Sequence, residues 1–152
     1  GGLLLGVCNG FQILCETGLL PGVLLHNNNQ KFICKNTFLK ACSSSAGITE
    51  TVDKNKAYKI PIAHGEGRYY AEKKVVEDLF EKDQVLFQYC DLNGKVSEND
   101  NPNGSLKNIA GVSNKNKNVM GMMPHPERAV EPLLGNTDGI QLFESLLNFP
   151  NL

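Results

Sequence analysis

Cys8, inside Gly6-Val7-Cys8-Asn9-Gly10, and His125 with Glu127, inside Pro124-His125-Pro126-Glu127-Arg128, are residues whose types and spacing could do chemistry. A cysteine attacks as its thiolate, so it needs a base to take its proton and a group to orient that base. Leu3-Leu4-Leu5 leads into Cys8, and the helix-compatible run from Phe11 to Thr17 follows, stopped by Gly18. Strand, tight turn and helix with a nucleophile at the turn is the logic of a nucleophile elbow. Gly6 and Gly10 would let backbone and helix approach closely. At a helix N-terminus, aimed N–H groups and the helix dipole would lower the thiol pKa. The same stretch is also compatible with a buried, inert cysteine in a strand-to-helix turn.

Three histidines could supply the base. His26 lies in an asparagine-rich run and reads as a solvated surface residue. His64 ends a short strand beside Gly65-Glu66-Gly67, where a binding role is open. His125 follows a strand end and is held between two prolines, which fix φ and restrict the residue before each. In extended backbone, residues two apart point to one side, so Glu127 would reach the imidazole, hold its tautomer and stabilise the imidazolium. Alone, His-Pro-Glu could equally be a stiff surface turn with a solvated ion pair. Beside a cysteine elbow, base plus orienter is the better reading.

The rest of the chain must position these groups. Short strands are expected at Lys31–Lys35, Thr37–Ala41, Tyr58–Ala63 and Gln84–Cys90, with a hairpin of Ile109–Ser113 and Val119–Met123. Glu72–Lys82 reads as a helix, and Gly139–Asn148 as an amphipathic one with Ile140, Phe143 and Leu147 as its apolar stripe. Cys15, Cys34, Cys42 and Cys90 read as small core hydrophobes. With 15 basic and 16 acidic side chains, no strong field favours nucleic acid or an anionic membrane. Five cysteines without a CxxC pair point to a reducing, cytoplasmic setting. No apolar run approaches the ~20 residues that span a bilayer. The chain opens on glycine, three residues from an apolar strand, which reads as a fragment lacking its N-terminal part.

Gly-Val-Cys-Asn-Gly-Phe-Gln and Pro-His-Pro-Glu-Arg together resemble the class I (triad) glutamine amidotransferases. His-Gly-Glu-Gly at 64–67, Asn-Pro-Asn-Gly-Ser at 101–105 and Leu19-Leu20-Pro21-Gly22 make the chain similar to the glutaminase subunits of phosphoribosylformylglycinamidine synthases. The resemblance implies an α/β fold: three-layer αβα, a mostly parallel sheet with an added antiparallel portion, flavodoxin-like. Residues 1–152 would be a single glutamine amidotransferase type 1 domain lacking its N-terminal βα units. It implies a glutaminase with Cys8, His125 and Glu127 as catalytic residues and Asn9, Gln12, His64 and Gly65 as substrate-binding residues, with no metal site. The Asn9 N–H would form half of an oxyanion hole, and the other half would lie in the missing segment. Partners implied are glutamine and an ATP- and Mg-using synthetase subunit, leaving open a small accessory subunit. The implied setting is cytoplasmic purine biosynthesis, with no cofactor in this subunit and neither nucleic acid nor membrane as partner. The exposed side of 65–67 and the 101–105 loop are expected partner contacts. A stand-alone γ-glutamyl hydrolase, another class I amidotransferase and a non-catalytic relic remain alternatives.

Overall fold

The computed structural model describes residues 2–148. The elements are β1 (Leu4–Val7), α1 (Asn9–Glu16), β2 (Val23–Leu25), β3 (Ile33–Ala41), β4 (Ala57–His64), β5 (Arg68–Tyr70), α2 (Lys73–Glu81), β6 (Val85–Cys90), β7 (Ile109–Ser113), β8 (Val119–Met122) and α3 (Asp138–Leu147). The main sheet runs β1-β8-β7-β6-β3-β4, and β2 pairs with β5 in a separate ribbon. In β4 the buried Tyr58, Ile60, Ile62 and His64 alternate with half-buried neighbours, the period-two signature of a strand with one face on the core.

Apolar side chains collect on both faces of the sheet. Leu39, Tyr58, Ile60, Ile62, Phe87, Met120 and Met122 pack with Leu142 of α3. Phe11 and Leu14 of α1 and Val76 and Leu79 of α2 pack with Tyr69, Val85, Ile109 and Val112. Each such side chain, fully buried, contributes about 1.5–3 kcal/mol. The Phe11 and Tyr69 rings stack at 6.0 Å, tying α1 to β5.

The α/β class holds, but the proportions differ from expectation. Only β1 and β8 run parallel in the main sheet; its other pairings are antiparallel. The sheet of the described residues is therefore mixed rather than mostly parallel; β7 and β8 form a hairpin across 114–118, a short connection that antiparallel strands allow. The two strands expected at 31–35 and 37–41 are one nine-residue strand, β3, since Asn36 continues the ladder opposite Pro61.

The buried stripe of α3 is Gly139, Leu142 and Ser145, not Ile140, Phe143 and Leu147. Close approach decides this. A Cβ on Gly139 would lie 2.1 Å from the Pro126 carbonyl oxygen, and Ser145 Oγ donates to the Gly47 carbonyl at 2.6 Å. Small residues let the helix seat where larger apolar ones could not, and Leu147 is left exposed. Cys34 likewise lies on the exposed face of β3, whereas Cys15 and Cys90 are buried and Cys42 half-buried. Among the described residues no helix is long and apolar enough to cross a membrane.

Candidate active site

The parallel register pairs Val7 with Met122, so β1 and β8 end side by side. Cys8 leaves one strand and the Met123-Pro124-His125 segment leaves the other, which brings the two ends of the chain to one edge of the sheet. The Cys8 N–H donates to the Met122 carbonyl at 2.8 Å, and the His125 N–H donates to Pro61 at 2.8 Å. Cys8 is thus fixed by backbone to β8 and His125 to β4.

Cys8 has φ 51° and ψ −105°, a conformation that side chains other than glycine rarely adopt. Such strain costs about 1–3 kcal/mol and persists only where the surroundings impose it. Here the Met122 hydrogen bond and the packing of α1 impose it. A Cβ on Gly6 would sit 2.7 Å from the Gly10 backbone, so Gly6 is required for the elbow to close. Gly10 would meet nothing within 4 Å, so the expected close approach comes from Gly6 alone.

The Cys8 thiol points toward the Ala63 carbonyl, with Sγ at 3.8 Å. Its pKa is raised, not lowered as helix placement suggested. Burial is the largest cause; the Asn9 N–H and Arg128 oppose it, and Glu127 adds to it. Desolvation outweighs the start of α1, so the resting thiol keeps its proton and depends on a base. The other shifted thiols are held higher still: burial pushes Cys15 and Cys90 up to about 12 and Cys42 to about 11.

His125 is buried, and its Nδ1 lies 2.6 Å from Glu127 Oε1. The reach is made differently from expectation. Residues 126–128 form one 3₁₀ turn rather than extended backbone, and the tight turn folds the carboxylate back over the ring. Glu127 also lies 3.6 Å from Arg128 Nε and is half exposed. With a carboxylate on Nδ1, that nitrogen carries the proton, and Nε2 is the free atom. Nε2 is buried and has no hydrogen-bond partner among the described residues.

Cys8, Asn9, Gln12, His64 and Gly65 line one cleft of about 390 Å³. All four residues expected to bind substrate therefore meet the candidate nucleophile. Gln12 Nε2 donates to the Glu66 carbonyl at 2.7 Å, linking α1 to the 65–67 turn. His26 also lines the cleft, with Nε2 3.3 Å from Glu66 Oε1, so this exposed residue belongs to the rim rather than to a remote surface. A larger cavity of about 620 Å³ lies along 96–108 and contains neither the thiol nor a histidine.

Two positioning residues escaped the sequence reading. Asn27 is fully buried; its Nδ2 donates to the Lys31 and His64 carbonyls, and its Oδ1 accepts from the Gly67 N–H at 3.1 Å and faces His64 Nδ1 at 3.0 Å. Asn103, also buried, donates to the Gly67 carbonyl at 2.8 Å. Both lie in polar, asparagine-rich stretches that read as solvated loops, and only the turn they grip distinguishes them. The 101–105 loop and the 65–67 turn are consequently one surface. Among the described residues no cluster of histidine, cysteine and carboxylate side chains could hold a metal ion.

Comparison with known proteins agrees with this geometry. Residues 1–149 match the CobB/CobQ-like glutamine amidotransferase domain. The chain is 53% identical over 142 residues to phosphoribosylformylglycinamidine synthase subunit PurQ of Chlorobium luteolum, covering 93% of this chain and 62% of that one. It is 51% identical over 148 residues to the PurQ subunit of Aquifex aeolicus, covering 97% and 65%. A solved structure of PurLQS from Thermotoga maritima superposes with a TM-score of 0.81 at 44% identity, covering 97% of this chain and 61% of that one. The chain thus spans less than two thirds of the length of these relatives. With the match running from the first residue to 149, and the elbow and His-Glu pair inside it, this chain belongs to the CobB/CobQ-like glutamine amidotransferase domain family.

Proposed function

We propose that this chain is the glutamine-hydrolysing part of a phosphoribosylformylglycinamidine synthase. Residues 1–152 are read as one glutamine amidotransferase type 1 domain. One observation carries the catalytic reading: the buried, unpartnered Nε2 of His125, with Glu127 behind it, at the sheet edge where Cys8 sits on its strained elbow.

In this reading Cys8 Sγ attacks the side-chain amide carbon of glutamine while His125 Nε2 takes the thiol proton. The tetrahedral oxyanion is stabilised by the Asn9 N–H; losing one such donor typically costs ~10²–10³ in rate. His125 then returns the proton to the amide nitrogen, the C–N bond breaks, and ammonia leaves a γ-glutamyl thioester. Water, deprotonated by His125, releases glutamate and restores the thiol. The thioester divides one hard hydrolysis into two easier steps. Glu127 holds the His125 tautomer and offsets the imidazolium charge. Gln12 and Gly65 bound the substrate cleft.

The high identity to PurQ subunits and the likeness to a PurLQS structure support a synthetase subunit as the recipient of the ammonia. In this reading the reaction belongs to purine biosynthesis in the cytoplasm. ATP and Mg belong to that synthetase in this reading, and the chain needs no cofactor of its own. The joined surface of 65–67 and 101–105 is the partner-facing side.

Mass spectrometry after incubation with an electrophilic glutamine analogue tests the site. The expected result is a single adduct on Cys8, prevented by excess glutamine and absent in His125→Ala at matched times. Labelling spread over the cysteines without protection by glutamine would overturn the reading.

A further inference from the structure

Three buried side-chain atoms lack a hydrogen-bond partner among the described residues: His125 Nε2, Tyr89 Oη and His64 Nε2. The mechanism above uses the first. His64 Nε2 is unexplained, although the residue is only 3% exposed and lines the cleft that holds Cys8. Buried polar atoms are as a rule paired, so the lack of a partner here points to one that arrives with the ligand.

The chemistry of that partner follows from the tautomer. Asn27 commits its Nδ2 to the Lys31 and His64 carbonyls, so the atom facing His64 Nδ1 is an oxygen, which can only accept. His64 Nδ1 therefore carries the proton and Nε2 presents a bare lone pair. Burial, with a smaller effect from His125, lowers the His64 pKa to about 4, so the ring stays neutral near pH 7. Gly67 closes over the ring: a Cβ there would lie 2.2–2.5 Å from its Cε1, Nδ1 and Nε2. The lone pair is fixed in charge, tautomer and place, and it calls for an N–H or O–H donor.

Glutamine brings two nitrogen donors. The charged α-ammonium suits the exposed rim, where the Glu66 carboxylate lies. The neutral carboxamide suits the buried end. Resting on the glutamine-hydrolysing reading, we infer that His64 is a specificity-determining residue that accepts a hydrogen bond from the scissile carboxamide nitrogen and from the ammonia it becomes. His64 moves no proton. The proton that completes ammonia comes from Cys8 through His125, as above, while His64 orients the leaving nitrogen by one of its N–H bonds.

Two substitutions separate this role from a structural one. In His64→Asn the amide nitrogen can replace Nδ1 against Asn27 but nothing replaces Nε2. In His64→Gln the longer side chain replaces the Nε2 acceptor and gives up the Asn27 bond. The readout is the ratio of kcat/KM for glutamine to that for the γ-methyl ester of glutamate, whose leaving group has no N–H, measured on the complete subunit. The inference expects the ratio to fall about tenfold in His64→Asn, as for loss of one hydrogen bond, and to stay within about threefold of wild type in His64→Gln.

An unchanged ratio in His64→Asn, or an equal fall in both variants, overturns it. Wild-type protein that cleaves neither substrate overturns the glutamine-hydrolysing reading as well. Should His64→Asn not fold, ring ¹⁵N NMR of the Cys8→Ser protein decides. The expected state is a protonated Nδ1 and a bare Nε2 whose resonance moves when glutamine is added; a protonated Nε2, or no movement, overturns the inference.

Discussion

Gly67→Ala probes how tightly the cleft wall is set. Gly67 has no positive φ, so the methyl group strains nothing locally, and its effect is purely steric. The added Cβ would meet His64 Cε1 at 2.2 Å and Nδ1 at 2.4 Å, whereas carbon atoms rest at about 3.5–4.0 Å. Ring or turn must therefore move by roughly 1 Å or more. If the ring moves, the 3.0 Å contact of His64 Nδ1 with Asn27 Oδ1 stretches past hydrogen-bond range. If the turn moves, the Gly67 N–H loses Asn27 and the Gly67 carbonyl loses Asn103. Either way a buried polar group is orphaned, at about 1–3 kcal/mol, and overpacking adds about 1–3 kcal/mol. The expected loss is about 2–6 kcal/mol.

Equilibrium urea unfolding of wild type, Gly67→Ala, His64→Ala and the double variant measures it. Because the clash needs the imidazole, the double variant should be more stable than additivity predicts, by at least about 1 kcal/mol. A Gly67→Ala protein within about 0.5 kcal/mol of wild type, or strict additivity, would refute the packing argument.

Other predictions follow from the same geometry. Glu127→Ala should lower glutaminase kcat by about 10²-fold or more, and His125→Ala further, since positioned acid–base groups contribute ~10²–10⁴; equal rates for Glu127→Ala and wild type would remove Glu127 from the triad. Gly121→Ala would place a methyl group 2.2 Å from the Phe11 ring and should destabilise by about 1–3 kcal/mol while shifting α1, which calorimetry and Cys8 labelling can follow together. In native protein at pH 8 a thiol reagent should spare Cys15, Cys42 and Cys90, held near 11–12, until denaturant is added. His64 has a folded pKa of about 4 against about 6.5 unfolded. Below about 6.5 the unfolded chain binds a proton that the native ring refuses, so its contribution is complete above that pH and is lost as pH falls toward 4. Unfolding free energy should therefore drop by about 2–3 kcal/mol more between pH 7 and 4 in wild type than in His64→Gln, and parallel pH curves would contradict this.

The parts of the site legible in sequence are those that local chemistry writes. An aliphatic run, a glycine-flanked cysteine and a helix-compatible stretch fix the elbow within a few residues. Two prolines around a histidine, with a carboxylate close behind, foretell the His125–Glu127 contact even though a 3₁₀ turn replaced the extended backbone. Features set by contacts distant in sequence were not legible. Asn27 and Asn103 sit in polar runs whose burial depends on a turn at 65–67. The buried face of α3 was misassigned because apolar periodicity cannot reveal that Gly139 must pass within contact of the Pro126 carbonyl. The direction of the Cys8 pKa went the same way: the start of α1 is visible in sequence, but the burial that outweighs it is not.

That reversal makes the arrangement coherent. A thiol kept protonated at rest is a poor nucleophile, which protects a half-buried cleft cysteine from indiscriminate reaction. Its proton can leave only to a base whose lone pair is free, and the Glu127 contact on Nδ1 leaves His125 Nε2 as that lone pair. On the proposed mechanism an imidazolium formed there stabilises the thiolate, so the burial cost falls away at the moment of attack. The second bare lone pair, on His64, is pinned as an acceptor by Asn27 and cannot act as a base of similar strength. On the proposed mechanism one imidazole moves a proton and the other receives a hydrogen bond. A carboxamide needs both, because its carbon must be attacked while its nitrogen is protonated and turned toward its exit.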